Sequence, residues 1–356
     1  MALKKPMPGG IIGVIALSLL TISLLSSCTP SDSRTGGAEY RKGTEGLAIS
    51  FLSNMPPDRM FDQGPLQVVV SMENKGAYDI EDARLYIHGY DKDIVDMKVK
   101  TNGNEKNPQV SGVDNENYEP ISNGDGAGDG TLTGVELKEL KGRDINSPQQ
   151  GGKALVEFTS DDIYLKNVDQ YMFPISATLC YKYHTIAEES ICIDPNPYTV
   201  SEKSKACTTY DVLPSGGQGA PVAVTAIEVH AMKGKMLLTI RVKNLGGGIL
   251  FDSDSNNLDD CSPYSQKGLT YDKLDVVNLN SVKISGKDDP ALDKCKGKIR
   301  LFDGEGSVVC EYVIKDATQA YTTPIRIELE YGYTTSITRN VEIVKVPGIK
   351  PGINND

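Results

Sequence analysis

The sequence predicts an all-β fold with two tandem immunoglobulin-like β-sandwiches that follow an N-terminal signal or anchor helix. Short stretches in which apolar and polar residues alternate recur along the chain, as half-buried strands require. The 35 glycines and 19 prolines among 356 residues supply turns between such strands. Several landmarks also occur twice in the same order, which indicates a duplicated domain.

Residues 1–28 have the features of an export leader. Lys4 and Lys5 precede a mostly apolar stretch at 11–25, about as long as the core of a signal peptide. The run Leu25-Ser26-Ser27-Cys28 resembles the lipobox of prokaryotic lipoproteins, which implies lipid attachment at Cys28. An uncleaved signal anchor and simple secretion are the alternatives. The lipid, the signal anchor and simple secretion all place the rest of the chain outside the cell. The lipid and the signal anchor also hold it at the outer face of the membrane.

The net charge of the chain limits the classes of partner that it can bind. Removing residues 1–28 removes two lysines and no acidic residue, so the net charge moves from −11 to −13. An acidic surface repels nucleic acid and anionic headgroups. We therefore expect no nucleic-acid partner, and contact with the membrane only through the N-terminal lipid or helix.

Residues 29–43 are small and polar and predict a flexible tether. The first sandwich is expected at 44–214, with a long irregular loop at 101–152 where the hydrophobic pattern gives way to Asn, Asp, Gly, Pro and Ser. Its predicted strands are residues 47–51, 66–72, 83–88, 154–159, 175–184 and 190–193.

Residues 215–221 are rich in glycine and predict the interdomain linker. The second sandwich is expected at 222–346, starting with strands at 222–229 and 236–242, and a polar tail follows at 347–356. Asn244-Leu245-Gly246 follows the second strand of this half as Asn74-Lys75-Gly76 follows its counterpart in the first half.

The clearest repeat joins residues 181–193 and 331–343. At an offset of 150, Tyr181 matches Tyr331 and Tyr183 matches Tyr333 without gaps. In each copy a Tyr-x-Tyr strand precedes an Ile-x-Ile type strand, which we interpret as the two arms of a closing hairpin. Core packing is the expected role of these tyrosines.

Six cysteines remain once Cys28 is assigned to lipid: Cys180, Cys192, Cys207, Cys261, Cys295 and Cys310. An even set in an exported chain predicts up to three disulfides. We expect Cys295–Cys310 first, Cys180–Cys192 second, and Cys207–Cys261 by elimination. Zinc is the competing interpretation, but the chain has no Cys-x-x-Cys and only three histidines.

The chain also resembles a known group of proteins. The runs GTEGLAISFL, ENKGAYDIEDARLYIHGYD, CYKYHTIAEESICIDPNP, GQGAPVAVTAIEV, KNLGGG and YGYTTSI are similar to those of uncharacterised membrane-tethered surface proteins of small-genome archaea. The resemblance covers roughly residues 44–345. It implies tandem immunoglobulin-like (CARDB-like) domains and a surface location, and it carries no catalytic residue.

Two acidic stretches are candidate calcium sites, and no other cofactor is expected. Asp252, Asp254 and Asn256 copy the start of an EF-hand loop, but Asn257 and Pro263 stand where that loop needs glycine and glutamate. Asp125 and Asp129 lie in a glycine-rich run, whose ordering would cost much entropy.

No enzyme motif was found. The chain has no His-Glu-x-x-His, Gly-x-Ser-x-Gly, phosphate-binding loop or dinucleotide fingerprint. We therefore expect a non-enzymatic surface protein that presents two sandwiches for adhesion to, or interaction with, an unidentified protein or glycan, with 101–152 as the contact region. A self-assembling envelope subunit and a metal- or solute-binding lipoprotein are the alternatives. The sequence leaves the oligomeric state open.

Overall fold

Strands make up nearly all the regular structure. The computed structural model describes residues 39–100, 110–111, 118–122, 132–199, 205–286, 292, 295–315 and 317–347. The leader, Cys28 and the tail beyond 347 lie outside the described residues. From Ala38 onward the chain forms one unit, so the all-β prediction can be examined strand by strand.

The strands are numbered in chain order. They are β1 (Leu47–Phe51), β2 (Arg59–Phe61), β3 (Pro65–Asn74), β4 (Ala83–His88), β5 (Met97–Val99), β6 (Val110–Ser111), β7 (Tyr118–Ser122), β8 (Leu132–Leu137), β9 (Lys153–Asp162), β10 (Gln170–Ile193), β11 (Val222–Met232), β12 (Lys235–Asn244), β13 (Ile249–Phe251), β14 (Val276–Ile284), β15 (Gly297–Arg300), β16 (Glu305–Val313) and β17 (Tyr321–Val344). One short helix, α1 (Ser255–Asp260), and 3-10 turns at Glu39–Arg41 and Tyr271–Lys273 complete the described elements.

A nine-stranded sheet runs through the middle of the molecule. Its strand order is β15-β14-β17-β10-β4-β8-β7, and β13 and β2 also pair with β17. Strands β10 and β17 lie at its centre and pair antiparallel over 24 residues each. We call this β10–β17 pairing the seam.

The seam has a local two-fold axis. Tyr181 lies opposite Tyr333 and Tyr183 lies opposite Tyr331, so the residues matched by the 150-residue offset exchange places across the seam. Lys182 lies opposite its own counterpart, Gly332. The two halves of the chain are therefore arranged head to head about an axis through this pair.

An outer sheet belongs to each half. Strands β1, β3, β9 and β5 form one, with β6 also paired to β9, and strands β11, β12 and β16 form the other. Buried side chains of all three sheets make one continuous core cluster. Each half is thus a β-sandwich of an outer sheet and half of the central sheet, which confirms the predicted fold class.

The strand order within each half is immunoglobulin-like. The neighbours β1-β3-β9 and β4-β10 correspond to strands A-B-E and C-F of that fold. In the second half, β11-β12-β16 and β14-β17 take the same places. The position that strand G holds beside F is filled in each half by the long strand of the other half.

A duplicated hydrogen-bond motif confirms the repeat at atomic detail. Asn74 and Asn244 end the second strand of their outer sheets, and each Oδ1 accepts the N–H two residues on, from Gly76 and Gly246. Each Oδ1 also accepts a tyrosine hydroxyl, from Tyr183 at 3.3 Å and Tyr333 at 3.2 Å. A Cβ on either glycine would collide with that hydroxyl, which explains the Asn-x-Gly signal in both halves.

The predicted linker and part of the predicted tether are ordered parts of the body. Gln218 is buried and its side chain binds both backbone groups of Val224, at 3.2 and 2.9 Å. Gly43 exchanges backbone hydrogen bonds with Gly216 and Gly219. Because the halves share the seam, the boundaries at 214 and 222 do not separate independent bodies.

The predicted closing hairpins are wrong. Residues 175–184 and 190–193 belong to one strand, β10, which runs straight past the expected turn. Twelve residues of extended chain span about 40 Å, whereas bridged Cα atoms lie within about 7 Å. Cys180 and Cys192 therefore cannot pair.

The disulfides are Cys180–Cys261, Cys192–Cys207 and Cys295–Cys310. All six predicted cysteines are paired, and Cys295–Cys310 is confirmed. The other two predicted pairings exchange partners.

The loop predicted at 101–152 contains three strands. Strands β6, β7 and β8 lie within it, and Val135 and Leu137 of β8 are fully buried. The pattern was hard to recognise because the strands are short and separated by polar residues.

Candidate functional site

A groove of about 800 Å³ lies where β10, β14 and β17 run side by side. It is lined by Glu188 and Glu189 of β10, Arg326 and Glu328 of β17, Lys283 of β14, and Tyr210. Tyr210 follows the Cys192–Cys207 disulfide, and its side chain is 62% exposed. The groove combines an accessible aromatic ring with charged groups of both signs.

A chain of ion pairs fixes the charged wall of the groove. Glu188 accepts from Arg41 at 2.7 Å and from Arg326 at 2.8 Å, and Arg326 Nε donates to Glu328 at 2.8 Å. The seam register places Glu188 directly opposite Arg326. These pairs are partly exposed, so each adds little stability, but together they hold four charged groups in fixed positions.

Two carboxyl groups of the groove have pKa values that are shifted in opposite directions. Burial raises the pKa of the Glu189 carboxyl above its ordinary value. Burial acts in the same direction on Glu328, but hydrogen bonds from Arg326 and Ser281 and the positive charges of Arg326 and Lys283 together outweigh it, and the pKa of Glu328 is lowered. The groove therefore offers an ionised acceptor at Glu328 beside a carboxyl at Glu189 that protonates more readily.

Four tyrosines fill the core on the seam axis. The rings of Tyr181, Tyr183, Tyr331 and Tyr333 contact each other with centroids 5.7–6.4 Å apart. Burial raises the pKa of each hydroxyl. Tyr181 accepts the N–H of Leu47 and Tyr331 accepts that of Val222, the first residues of β1 and β11. These contacts confirm the predicted core role of the tyrosines.

The outer face of the seam carries a row of hydroxyl groups at one end. Ser176 bonds Thr338 at 2.8 Å, and Thr178 bonds Ser336 at 2.7 Å across the seam. His88 Nε2 lies 2.8 Å from the Thr178 hydroxyl, and burial lowers the pKa of this histidine. His88 is the last residue of β4, and this hydrogen bond ties its ring to the neighbouring strand β10.

A segment of the second half crosses onto the first. It follows β13, and Cys261 in it forms the disulfide with Cys180 of β10. Tyr264 donates a hydrogen bond to the carbonyl of Ile87 at 2.5 Å. Asp259 forms an ion pair with Arg84. The two halves are therefore joined by a covalent bond as well as by the seam.

Asp252 is held by cationic side chains. Its carboxylate is 1% exposed and accepts from Lys298 and from Asn278, with Lys273 Nζ at 3.8 Å. A calcium ion at this carboxylate would have to displace the ammonium groups. No group of three or more His, Cys, Asp or Glu in the described part of the chain is arranged to hold a metal.

The remaining calcium candidates receive no structural support. Asp254 is exposed at the start of α1, and the side chain of Asn256 lies outside the described residues, as do Asp125 and Asp129. Calcium at those positions stays a prediction. Cys28 also lies outside the described part, so its lipid stays a prediction too. Within that part, no helix has the length and apolar character that crossing a bilayer requires.

Comparisons with known proteins give only distant likenesses. No protein-family model and no curated protein matches this chain. Among solved structures, AvmM, which catalyses macrocyclization in alchivemycin A biosynthesis, is 13% identical, with 38% of this chain and 74% of AvmM covered and a TM-score of 0.21. BspA_C_mut is 9% identical, with 85% and 99% covered and a TM-score of 0.22.

A third solved structure is the C-terminal domain of the Streptococcus pyogenes antigen I/II-family protein AspA. It is 6% identical, with 85% of this chain and 100% of that domain covered, and its TM-score is 0.21. TM-scores of this size do not indicate a common fold over the whole chain. The architecture described above therefore depends on strand order and register alone.

Sequence reasoning did not find the groove. Glu188 and Arg326 are 138 residues apart, and only the seam register brings them together. Opposite charges at facing positions of paired strands are a recognisable signal, but it can be used only when the pairing is known.

Proposed function

We propose that this chain is an exported, membrane-anchored surface protein that works as a non-enzymatic binding platform for a protein or glycan outside the cell. The observation that carries the exported location is the set of three disulfides, because disulfides suit an oxidising compartment. The leader and the archaeal surface-protein resemblance support the same location.

The rigid seam supports a binding role. A platform that resists deformation loses little conformational entropy when a partner binds. The groove at Glu188 is the contact site we favour, because Tyr210 offers an aromatic face and the ion-pair chain offers fixed donors and acceptors. Cationic and anionic groups alternate there, which suits a polar partner such as a glycan or a peptide segment.

The groove is tested by cross-linking on intact cells that express the full chain. We expect the double variant Glu188→Ala/Arg326→Ala to lose the neighbours that the wild-type chain captures. The matched control is Glu228→Ala/Arg241→Ala, which removes an exposed ion pair from the outer sheet of the second half. Equal capture by both variants would rule out the groove as the contact site.

Anchoring is tested separately with Cys28→Ser. Metabolic labelling with radioactive glycerol, the backbone of both ester- and ether-linked membrane lipids, should mark the wild-type chain and leave the variant unlabelled. If both stay unlabelled and membrane-bound, the uncleaved signal anchor replaces the lipid. If the wild-type chain is released into the medium, the anchoring proposal fails.

A further inference from the structure

Strand β16 has an open edge that its counterpart lacks. In the first half, β9 pairs with β3 on one side and with β5 and β6 on the other. In the second half, β16 pairs with β12, and no strand of the described part pairs with its other side. Among the residues that the structure describes, the same position in the fold is thus paired in one half and unpaired in the other.

The hydrogen-bond phase shows which residues face that edge. Ile314 donates its N–H to Gly234 and Asn244 donates to Gly304, at 2.9 and 2.8 Å. In an antiparallel pair such bonded positions recur every second residue, so even-numbered residues of β16 face β12. Odd-numbered residues therefore direct N–H and C=O outward.

Four of those residues are available for pairing. Glu305 already exchanges both backbone bonds with Phe302. The available residues are Ser307, Val309, Glu311 and Val313. Each would present one donor and one acceptor to an added strand.

The side chains of this edge do not protect it by charge. Val309 is 61% exposed on the outer face. Glu305 and Glu311 are paired with Lys243 and Lys235 of β12, at 2.5 and 2.9 Å. Natural edge strands are often guarded by lysine, inward-pointing charges or proline, and the segment Ser307–Val313 has none of these, since its one charged residue, Glu311, points outward and is paired with Lys235.

We propose that a second copy of this chain pairs with β16 antiparallel, so that the two outer sheets join into one. The register that uses all four available residues places Val309 opposite Glu311 of the second copy, and Ser307 opposite its Val313. No like charges then lie directly opposite each other. A register shifted toward the start of β16, with its axis at Val308, would oppose Glu305 to Glu311, and like charges facing each other are destabilising.

The contact is self-complementary, as a two-fold dimer requires. The axis passes through Cys310, whose side chain lies on the inner face in its disulfide with Cys295. The pairing involves no residue of the groove, so it stands or fails independently of the proposed partner.

The register makes opposite predictions for two substitutions at one position. Val309→Lys places an ammonium opposite Glu311 of the second copy, and Val309→Glu places a carboxylate there. By sedimentation of the purified full chain in detergent, we expect Val309→Glu to weaken self-association at least about ten-fold and Val309→Lys to strengthen it. Thr239→Lys and Thr239→Glu, on the neighbouring strand β12, are the matched controls and should leave it unchanged.

Hydrogen exchange of the wild-type chain tests the edge without any substitution. Amides of Ser307, Val309, Glu311 and Val313 should become protected as the protein concentration rises, while the amide of Ile227, which donates to Val212 at the opposite edge of the same sheet, should not change. A chain that stays monomeric, or whose association ignores both Val309 variants, overturns the proposal. If both variants weaken self-association, the proposed register is overturned, because that result would place Val309 of each copy opposite Val309 of the other, on the two-fold axis.

Discussion

Two asparagines perform the same task in different surroundings. Asn74 is fully buried and makes a further bond to the carbonyl of Leu140, whereas Asn244 is half-buried and lacks that bond. An unsatisfied buried polar group costs about 1–3 kcal/mol. We expect Asn74→Ala to lower the free energy of unfolding by about 3 kcal/mol and Asn244→Ala by about 1–2 kcal/mol, measured by urea unfolding. Equal losses would show that the extra burial of Asn74 has no energetic effect.

The Asp252 carboxylate gives stability a pH dependence. Burial alone would raise its pKa, but the hydrogen bonds from Lys298 and Asn278 and the positive charges of Lys298 and Lys273 together outweigh this, and the pKa is lowered. A carboxyl with a lowered folded-state pKa stabilises the fold at neutral pH, and that contribution is lost as pH falls through the lowered pKa.

Asp252→Asn should therefore destabilise the chain at pH 7 by about 2 kcal/mol, less than for a fully buried pair because the lysines are partly exposed. The difference from wild type should shrink as the solution is made acidic, below the ordinary carboxyl pKa. Asp254→Asn is the control, because Asp254 is exposed, and should change stability little. A difference that is independent of pH would contradict the ion-pair explanation.

At the scale of the elements, the seam axis joins two residues that are not alike. Gly332 lies beneath the ring of Phe251, and a Cβ there would overlap it. Because Phe251 is fully buried, the ring has no room to move. We expect Gly332→Ala to cost about 1–3 kcal/mol and Lys182→Ala, at the same place across the axis, to stay within about 0.5 kcal/mol. Thermal unfolding of both variants checks this; equal Tm values would contradict it.

The disulfides should differ in strength because they close loops of different length. Cys180–Cys261 spans 81 residues, and Cys192–Cys207 spans 15. Chain-entropy estimates give about 4.5 and 3 kcal/mol for these loops. Serine replacement of the first pair should therefore destabilise by about 1.5 kcal/mol more than replacement of the second. Peptide mapping of the unreduced chain would first confirm the pairing, and finding Cys180 joined to Cys192 would refute it.

The strands show where local sequence is sufficient. Strands β1 and β4 begin and end at the predicted residues, because apolar and polar residues alternate along five or six positions and turn residues bound them. Strand β10 was divided in two because Glu188 and Glu189 interrupt that alternation. Their place in the strand depends on Arg326 and the rest of β17, which local sequence does not contain.

The whole molecule should unfold as one cooperative unit. Separating the halves would remove β10, which pairs with β17 along all 24 residues. It would also break the hydrogen bond between Tyr331 and Thr185 at 3.0 Å. We expect a single transition for the full chain in urea, followed by tyrosine fluorescence and circular dichroism. A fragment of residues 222–347 should show no cooperative transition. Two separate transitions, or a fragment that folds alone, would contradict the shared seam.

The sequence predicted two related sandwiches but did not predict the strand pairing that joins them. Repeated landmarks such as Asn74-Lys75-Gly76 and Asn244-Leu245-Gly246 revealed two related sandwiches, since the local bonds that need them recur. The seam depends on pairing between residues 128–174 positions apart, which no local pattern encodes. The groove was missed for the same reason, because the seam brings its walls together.

The seam also limits how this chain can change during evolution. Recombination that joined either half to a foreign domain would leave one edge of a 24-residue strand, about 80 Å of backbone, unpaired. An open edge of that length favours aggregation. The two halves must therefore be inherited together. A substitution on one strand of the seam is then constrained by the residue that faces it on the other strand.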